Sequence, residues 1–118
     1  MPPIVHIPSM SEYPLTKVSG HVQRRVLSTK EIMIVVYHYK PGATFPEHHH
    51  PQEQIVIVDE GEIEYDVNGN IFKLGRKGIL IIPSNAPHSS RVLGNDEVTT
   101  YNFFHPIRED LLNEAIEK

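Results

Sequence analysis

Short apolar runs separated by turn-forming residues are the feature that most restricts how this chain can fold. Runs rich in Val, Ile, Tyr and Phe recur through the sequence, and Gly, Pro or Asn stands between them. The runs lie at residues 22–27, 32–39, 55–58, 63–67, 79–82 and 98–104. Because short strands bounded by such residues are typical of β-sheet proteins, the pattern predicts a nearly all-β fold.

The dipeptide Asn68-Gly69 predicts a β-hairpin within this pattern. It separates two segments of β-type sequence, residues 62–67 and 71–74. Both central residues of a type I′ turn need a positive φ, and Asn followed by Gly is a pair that adopts it readily. The two segments are therefore expected to be adjacent antiparallel strands.

Helical spacing is restricted to the C-terminal residues 108–117. Apolar side chains there recur on one face, and acidic residues stand near the start, where the helix dipole favours negative charge. The apolar residues are Leu111, Leu112, Ala115 and Ile116. A short C-terminal helix is expected to follow the last strand.

Length and composition predict one domain over residues 1–118. A chain of 118 residues with 39% hydrophobic content supports one core, and the Pro-rich residues 1–15 are expected to form an N-terminal arm. Cysteine is absent, which excludes disulfides and thiolate chemistry and is typical of a cytoplasmic protein. No apolar run is long enough to span a membrane, and a net charge of -4 without a basic stripe argues against nucleic acid as a partner.

Two of the runs, residues 55–58 and 79–82, are apolar at consecutive positions. Alternate side chains of a strand point to opposite faces, so both faces of these strands need cover. A small barrel covers only the inner face. We therefore expect a homodimer in which a second subunit packs on the outer face of one sheet.

Histidine is the residue type that points to chemistry, because the chain has eight and three of them are consecutive. On a strand, His48 and His50 project to one face while His49 points away. Two imidazoles then share one concavity. Imidazole nitrogen is a ligand for several first-row transition metals.

Two further residues complete a ligand set. Gln54, on the next predicted strand, supplies an oxygen, and His88, after a Pro- and Asn-containing turn, supplies a third imidazole. Glu53 replaces Gln54 if a bulge shifts the register. The set suits one divalent transition metal ion, and it does not distinguish Ni, Fe, Mn and Zn.

At these residues the chain resembles the cupin superfamily, whose two motifs are far more specific together than a lone His-x-His. Gly42 is followed after five residues by His48-His49-His50, then by Gln54 and, after six more residues, by Gly61. The second motif is matched by Gly78, Pro83, Asn85 and His88, with one residue fewer than usual after the glycine. The resemblance covers about residues 20–106. It implies a double-stranded β-helix, the jelly-roll barrel of cupins, with a metal at His48, His50, Gln54 and His88.

The flanks extend the resemblance to the small cupins of pectin and alginate breakdown. The matching residues are Met33, Pro41, the His-Pro-x-Glu-Gln segment at 50–54, and Phe104, Pro106, Arg108, Glu109 and Asp110. Those proteins are implicated in opening 4,5-unsaturated monouronates to linear keto sugars with the help of the bound metal. The resemblance therefore implies a metal-dependent isomerase or lineariser of uronate metabolism, with a small sugar acid as substrate.

Asn102 and Arg108 are the candidate catalytic residues within this resemblance. The planar guanidinium of Arg108 would clamp the substrate carboxylate, or else form an ordinary salt bridge at the helix start. Asn102 stands where the family has an aspartate, and an amide can orient a hydroxyl but cannot exchange a proton. We expect Asn102 to hold a substrate hydroxyl, native turnover to be slow, and Asn102→Asp to increase it.

Two other functions stay open, since one fold serves many activities. One is an iron-dependent dioxygenase of another small metabolite, which oxygen uptake would reveal. The other is a non-catalytic metabolite-binding cupin, which turnover of a sugar acid would exclude.

Overall fold

The computed structural model describes residues 3–115, and within that range the chain forms ten strands and two short 3₁₀ helices. The strands are β1 (Thr16–Lys17), β2 (Val22–Ser28), β3 (Met33–Tyr39), β4 (Thr44–His48), β5 (Glu53–Glu60), β6 (Glu62–Val67), β7 (Asn70–Leu74), β8 (Ile79–Ile82), β9 (His88–Leu93) and β10 (Val98–His105). The 3₁₀ helices span Met10–Glu12 and Glu109–Glu114. The predicted all-β class is confirmed.

The strands form two antiparallel sheets that together make the double-stranded β-helix barrel. One sheet has the order β1-β2-β3-β10-β5-β8 and the other has the order β4-β9-β6-β7. Some strands that are distant in the chain are neighbours in a sheet: β5 pairs with β10 in the first sheet, and β4 pairs with β9 in the second. The pairing of β4 with β9 brings the first and second histidine motifs together at one end of the barrel.

The core lies between the sheets, because inward side chains alternate with outward ones along each strand. On β10 the buried residues are Val98, Thr100, Asn102 and Phe104, and the residues between them are more exposed. On β5 the fully buried valines are Val56 and Val58. Each buried valine stabilises the fold by about 1.5–3 kcal/mol relative to an exposed one. This apolar interior is the scaffold that carries the site.

The Asn68-Gly69 hairpin is confirmed. β6 and β7 pair with Val67 opposite Asn70, and the two turn residues have φ values of 53° and 83°. The backbone N–H of Gly69 also donates to Asp66 Oδ1 at 2.9 Å. The turn therefore has the left-handed conformations that its sequence favours.

Gly61, the last residue of the first motif, has both a positive φ and no room for a side chain. Its φ is 83°, and a Cβ at this position would lie 2.5 Å from the carbonyl oxygen of Glu97 and 2.7 Å from a methyl of Val98. The tight turn between β5 and β6 therefore requires glycine for two independent reasons.

The C-terminal segment predicted as a helix over residues 108–117 is a 3₁₀ helix over Glu109–Glu114, with Leu111 buried; Ile116 and Glu117 lie outside the described residues. Its last residue is tied to the sheet, since Arg24 on β2 makes two hydrogen bonds to the Glu114 carboxylate, at 2.9 and 2.7 Å. The same carboxylate raises the pKa of Arg24. This ion pair holds the C-terminal segment against the six-stranded sheet.

The outer face of the six-stranded sheet carries an apolar row. The register places Leu27, Ile34, Phe103, Ile55 and Ile81 side by side on five consecutive strands. Ile81 is 61% exposed, and Ile79 on the same edge strand is 60% exposed. The sequence expectation that these strands are apolar on both faces is matched by this uncovered row.

At the N-terminus, residues 3–12 are largely exposed, whereas Tyr13 is buried and its carbonyl accepts a hydrogen bond from Arg25 Nε. The division of residues 1–118 into one domain with an arm at 1–15 stays a prediction. None of the helices between residues 3 and 115 has the length and apolar character needed to cross a membrane.

Candidate metal centre

The paired ends of β4 and β9 position two of the histidines, His48 and His88. His48 is the last residue of β4 and His88 is the first residue of β9, and they are cross-strand partners after a register shift that follows Phe45. Their ring centroids are 4.2 Å apart. His50 follows in the loop that leads to β5, and its ring centroid lies 5.1 Å from that of His88. His49, which lies between His48 and His50 in the sequence, is exposed, as the alternation predicts.

The three histidines form a group that could hold a metal ion. One ring nitrogen of each lies within 4.8 Å of the others. All three side chains converge at one mouth of the barrel, where the interior meets solvent. Imidazole nitrogens in such a group suit first-row transition metals.

The same hydrogen-bond pattern fixes the tautomer of each ring. In each case Nδ1 faces a backbone carbonyl, which can only accept, so that nitrogen carries the proton. The three bonds are His48 to Pro46 at 3.0 Å, His50 to Gln52 at 3.1 Å and His88 to Ala86 at 2.9 Å. The lone pair of each neutral ring is then on Nε2, which is the arrangement found around metal-ligating histidines.

Burial keeps these rings neutral. It lowers the pKa of His48 and of His50, and it lowers the pKa of His88 to about 4. The positive charge of Arg108 lowers the pKa of all three further. At neutral pH the histidines therefore present lone pairs, which is the state a metal ion needs.

His88 supplies the clearest sign that these residues fit an ion. Its Nε2 atom is buried and, within residues 3–115, has no hydrogen-bond partner. Leaving a buried polar atom unsatisfied costs about 1–3 kcal/mol. A cation placed among the three Nε2 atoms would satisfy it.

Gln54 brings an oxygen to the same point. Its Oε1 lies 3.1 Å from His50 Nε2, and its Nε2 donates to Asn102 Oδ1 at 2.9 Å. Because the His50 proton is on Nδ1, this 3.1 Å contact brings together two acceptor atoms, His50 Nε2 and Gln54 Oε1. A cation bound by both atoms would stabilise the contact. Glu53 is exposed on the opposite face of β5. The geometry thus places Gln54, rather than Glu53, among the histidines.

Asn102 is fully buried behind Gln54 and shares the inward face of β10 with Phe104. Its Nδ2 donates to the Val35 carbonyl at 3.2 Å and to Thr100 Oγ1 at 2.9 Å. Both amide hydrogens are therefore used within the barrel. The sequence placed this side chain on the correct face but did not reveal these partners.

Arg108 lies over the aromatic wall of the same cavity. Its guanidinium carbon is 5.3 Å from the centre of the Phe104 ring, and its Nη2 forms a 3.0 Å ion pair with Asp110. Within the described chain its buried Nε has no hydrogen-bond partner. The ion-pair alternative raised from the sequence is thus present, and the buried Nε–H of the guanidinium stays unpaired among the described residues.

The cavity between these groups is rich in aromatic side chains, and its lining among residues 3–115 contains no acidic residue. Its aromatic lining consists of Tyr37, Tyr39, Phe45, Tyr65 and Phe104. Ser89 and Ser90 on β9 add hydroxyl groups, and Arg108 is the charged residue of the lining within residues 3–115. Sequence reasoning missed Tyr65 and the two serines, although the inward alternation of β6 could have indicated Tyr65.

Comparison with known proteins identifies a family. Residues 35–104 match the family model described as "Cupin domain". This match includes His48, His50, Gln54 and His88.

Curated relatives match over shorter segments. Polyketide synthase CurC of Streptomyces cyaneus is 35% identical over 69 residues, which cover 58% of this chain and 45% of that protein. The HTH-type transcriptional activator RhaS of Yersinia pestis (strain Pestoides F) is 40% identical over 48 residues, which cover 41% of this chain and 18% of that protein. The chain thus spans less than half the length of these relatives.

Solved structures match over nearly the whole chain. An RmlC-like cupin from Shewanella frigidimarina NCIMB 400 has a TM-score of 0.82 and 25% identity, covering 92% of this chain and 96% of the other. KdgF from Halomonas sp. has a TM-score of 0.78 and 25% identity, covering 86% of this chain and 94% of the other. Both are chains of nearly the same extent as this one.

Proposed function

The chain belongs to the cupin family, and from that premise we propose that it binds one divalent transition metal ion and uses it to open or isomerise a small sugar acid, most specifically a 4,5-unsaturated uronate. The proposed ligands are His48, His50, Gln54 and His88. The observation that carries the proposal is the buried Nε2 of His88, which has no hydrogen-bond partner among residues 3–115, in a ring that groups with the other two imidazoles.

Charge favours an anionic substrate. Three neutral imidazoles and a carboxamide leave the charge of a divalent ion uncompensated, and the guanidinium of Arg108, which is paired with the exposed Asp110, also lines the cavity. The described lining contains no carboxylate. A substrate that brings a carboxylate and oxygen donors would supply the missing negative charge.

Residues of this chain supply binding and orientation. The unpaired Nε–H of Arg108 can donate to a substrate carboxylate, with the guanidinium carbon 5.3 Å from the centre of the Phe104 ring. The hydroxyls of Ser89 and Ser90 can hydrogen-bond to the sugar hydroxyls, while Tyr37 and Phe45 exclude water from one wall. When bound, the metal supplies Lewis-acid polarisation of a substrate oxygen.

One experiment tests the activity. Elemental analysis of protein as purified is followed by incubation with unsaturated monouronates, while the enol-ether absorbance and dissolved oxygen are recorded together. We expect stoichiometric metal, slow loss of absorbance and no oxygen uptake. Oxygen consumption would instead indicate the dioxygenase function, and binding without turnover would indicate the metabolite-binding function.

Arg108→Gln is the variant that tests the anion site. It removes the charge and leaves the proposed ligands intact, so it should raise KM for the uronate while the metal content stays stoichiometric. The control is Arg76→Gln, a change of the same kind at an exposed loop position outside the cavity. Equal kinetics for native protein and Arg108→Gln would contradict the carboxylate clamp.

The assembly proposed for this enzyme is a homodimer. The apolar row on the outer face of the six-stranded sheet ends at β8, which is an edge strand. A second copy packed face to face on this sheet, about a twofold axis near β8, would cover the row. A second copy of this chain is therefore the occupant that we assign to this face.

A further inference from the structure

Most of the buried polar side chains in the described chain belong to one series of short polar contacts. Five polar residues are buried, namely His50, Gln54, His88, Thr100 and Asn102. Four of them are connected in the order His50, Gln54, Asn102, Thr100, with contacts of 3.1, 2.9 and 2.9 Å. The series therefore runs from the barrel interior to the proposed metal ligands.

The orientation of Asn102 is set by a group that can only accept. The backbone carbonyl of Val35, on the neighbouring strand β3, lies 3.2 Å from Asn102 Nδ2. Turning the Asn102 amide over would place two oxygens against each other at this contact. The Oδ1 atom is therefore fixed toward β5, where Gln54 lies.

The orientation of Asn102 then dictates that of Gln54. Because Oδ1 of Asn102 is an acceptor, the amide nitrogen of Gln54 must face it, as the 2.9 Å contact shows. The oxygen of Gln54 is left on the side of the histidines, 3.1 Å from His50 Nε2. The reversed carboxamide would present an N–H₂ group to the same point and could not ligate a cation.

We infer that Asn102 is a positioning residue that locks the carboxamide of Gln54 with its oxygen toward the three histidines, so that residue 54 serves as a neutral oxygen ligand. This rests on the proposed metal site. It replaces the expectation that Asn102 holds a substrate hydroxyl, since both of its amide hydrogens are bonded within the barrel.

A double-mutant cycle tests whether Asn102 acts through Gln54. Metal-free protein is titrated with Co²⁺, and both the Kd and the visible absorption of the bound ion are measured. Asn102→Ala should weaken Co²⁺ binding by about 10–100-fold, the range for loss of an outer-shell partner. In the Gln54→Ala background the same change should alter Kd by less than about twofold, because its route to the metal has been removed.

Two further variants separate positioning from general damage. Asn102→Asp keeps an acceptor for Gln54, and its buried carboxyl, protonated on the oxygen that faces the Val35 carbonyl, keeps the orienting contact, so it should bind Co²⁺ at least as tightly as native protein and keep its spectrum. Val98→Ala truncates another buried residue of β10 that lies outside the series, and it should leave Kd unchanged. An equal loss of affinity from Asn102→Ala in both backgrounds, or no loss in either, would overturn the inference.

A measurement on native protein covers the case in which Asn102→Ala does not fold. In metal-free protein the side-chain N–H₂ of Gln54, assigned by its absence in Gln54→Ala, should show slow hydrogen exchange, because it is held against Asn102. Rapid exchange and averaged resonances would overturn the inference.

The two proposals can fail separately. Coupled Co²⁺ binding without uronate turnover would retain the positioning role and reject the activity. Turnover without coupling between Asn102 and Gln54 would retain the activity and reject the positioning role. A native protein that binds no Co²⁺ would reject both.

Discussion

His48 and His88 are cross-strand partners on β4 and β9, and their rings lie 4.2 Å apart at the mouth of the barrel. Two strands that are separated by four others in the sequence thus supply half of the proposed ligand set. The pairing makes the site depend on the fold, whereas the apolar core between the sheets is built from other residues.

His88→Ala should therefore abolish stoichiometric metal binding and leave the barrel folded. The measurement is elemental analysis together with circular dichroism. His49→Ala is the matched control, because His49 is exposed and should leave the metal content unchanged. Full metal retention in His88→Ala would rule out this residue as a ligand.

The stability of metal-free protein should fall as the pH drops from about 6.5 to about 4. Burial lowers the pKa of His88 from 6.5 to about 4, so in this window the unfolded state binds a proton that the folded state does not. Stability therefore rises with pH across the window and is lost on acidification, by at most about 3 kcal/mol for this residue, because solvent screens part of the effect. His48 and His50, whose pKa values are also lowered, act in the same direction.

Denaturant unfolding of chelator-treated protein at a series of pH values checks this. His88→Gln removes the titrating ring and should flatten the profile, while His49→Gln should not. Identical profiles for native protein and His88→Gln would show that His88 does not carry the effect.

The sequence predicted those strands whose inward side chains are apolar, and it was less informative where a strand lines the site. β9 was not recognised as a strand because it begins His-Ser-Ser-Arg, and its first two inward residues, His88 and Ser90, face the cavity rather than the core. Polar lining removes the alternation on which strand prediction depends. The same replacement of apolar by polar residues is what marks a site.

The long-range contacts could not be predicted from spacing. Arg24 binds Glu114 across 90 positions, and Gln54 binds Asn102 across 48. Alternation gave the face of Asn102 correctly, but the partner depends on the pairing of β5 with β10, which local patterns do not encode. The C-terminal segment shows the same limit, since its short 3₁₀ form is tied to β2 through Glu114.

Gly61→Ala should destabilise the barrel by about 2–4 kcal/mol, because the alanine would need a left-handed φ and its methyl would overlap Glu97 and Val98. Thermal unfolding of metal-free protein measures the loss. The matched control is Gly20→Ala, where nothing lies within 4 Å of the added methyl and the change should be within about 0.5 kcal/mol. Equal stability of the two variants would show that the turn accepts a side chain.

Ile81→Lys should convert the proposed dimer into a monomer. Ile81 ends the apolar row on the outer face of the six-stranded sheet and is 61% exposed. The isolated subunit therefore tolerates a lysine there, whereas two such lysines near a twofold axis would repel each other. Ile71→Lys is the control, since Ile71 is 54% exposed but lies on β7 of the other sheet. Light scattering at micromolar concentration should give a dimer mass for native protein and for Ile71→Lys, and a monomer mass for Ile81→Lys with metal binding retained. A native monomer would leave the exposed row unexplained and refute the dimer, and dissociation by Ile71→Lys alone would move the interface to the four-stranded sheet.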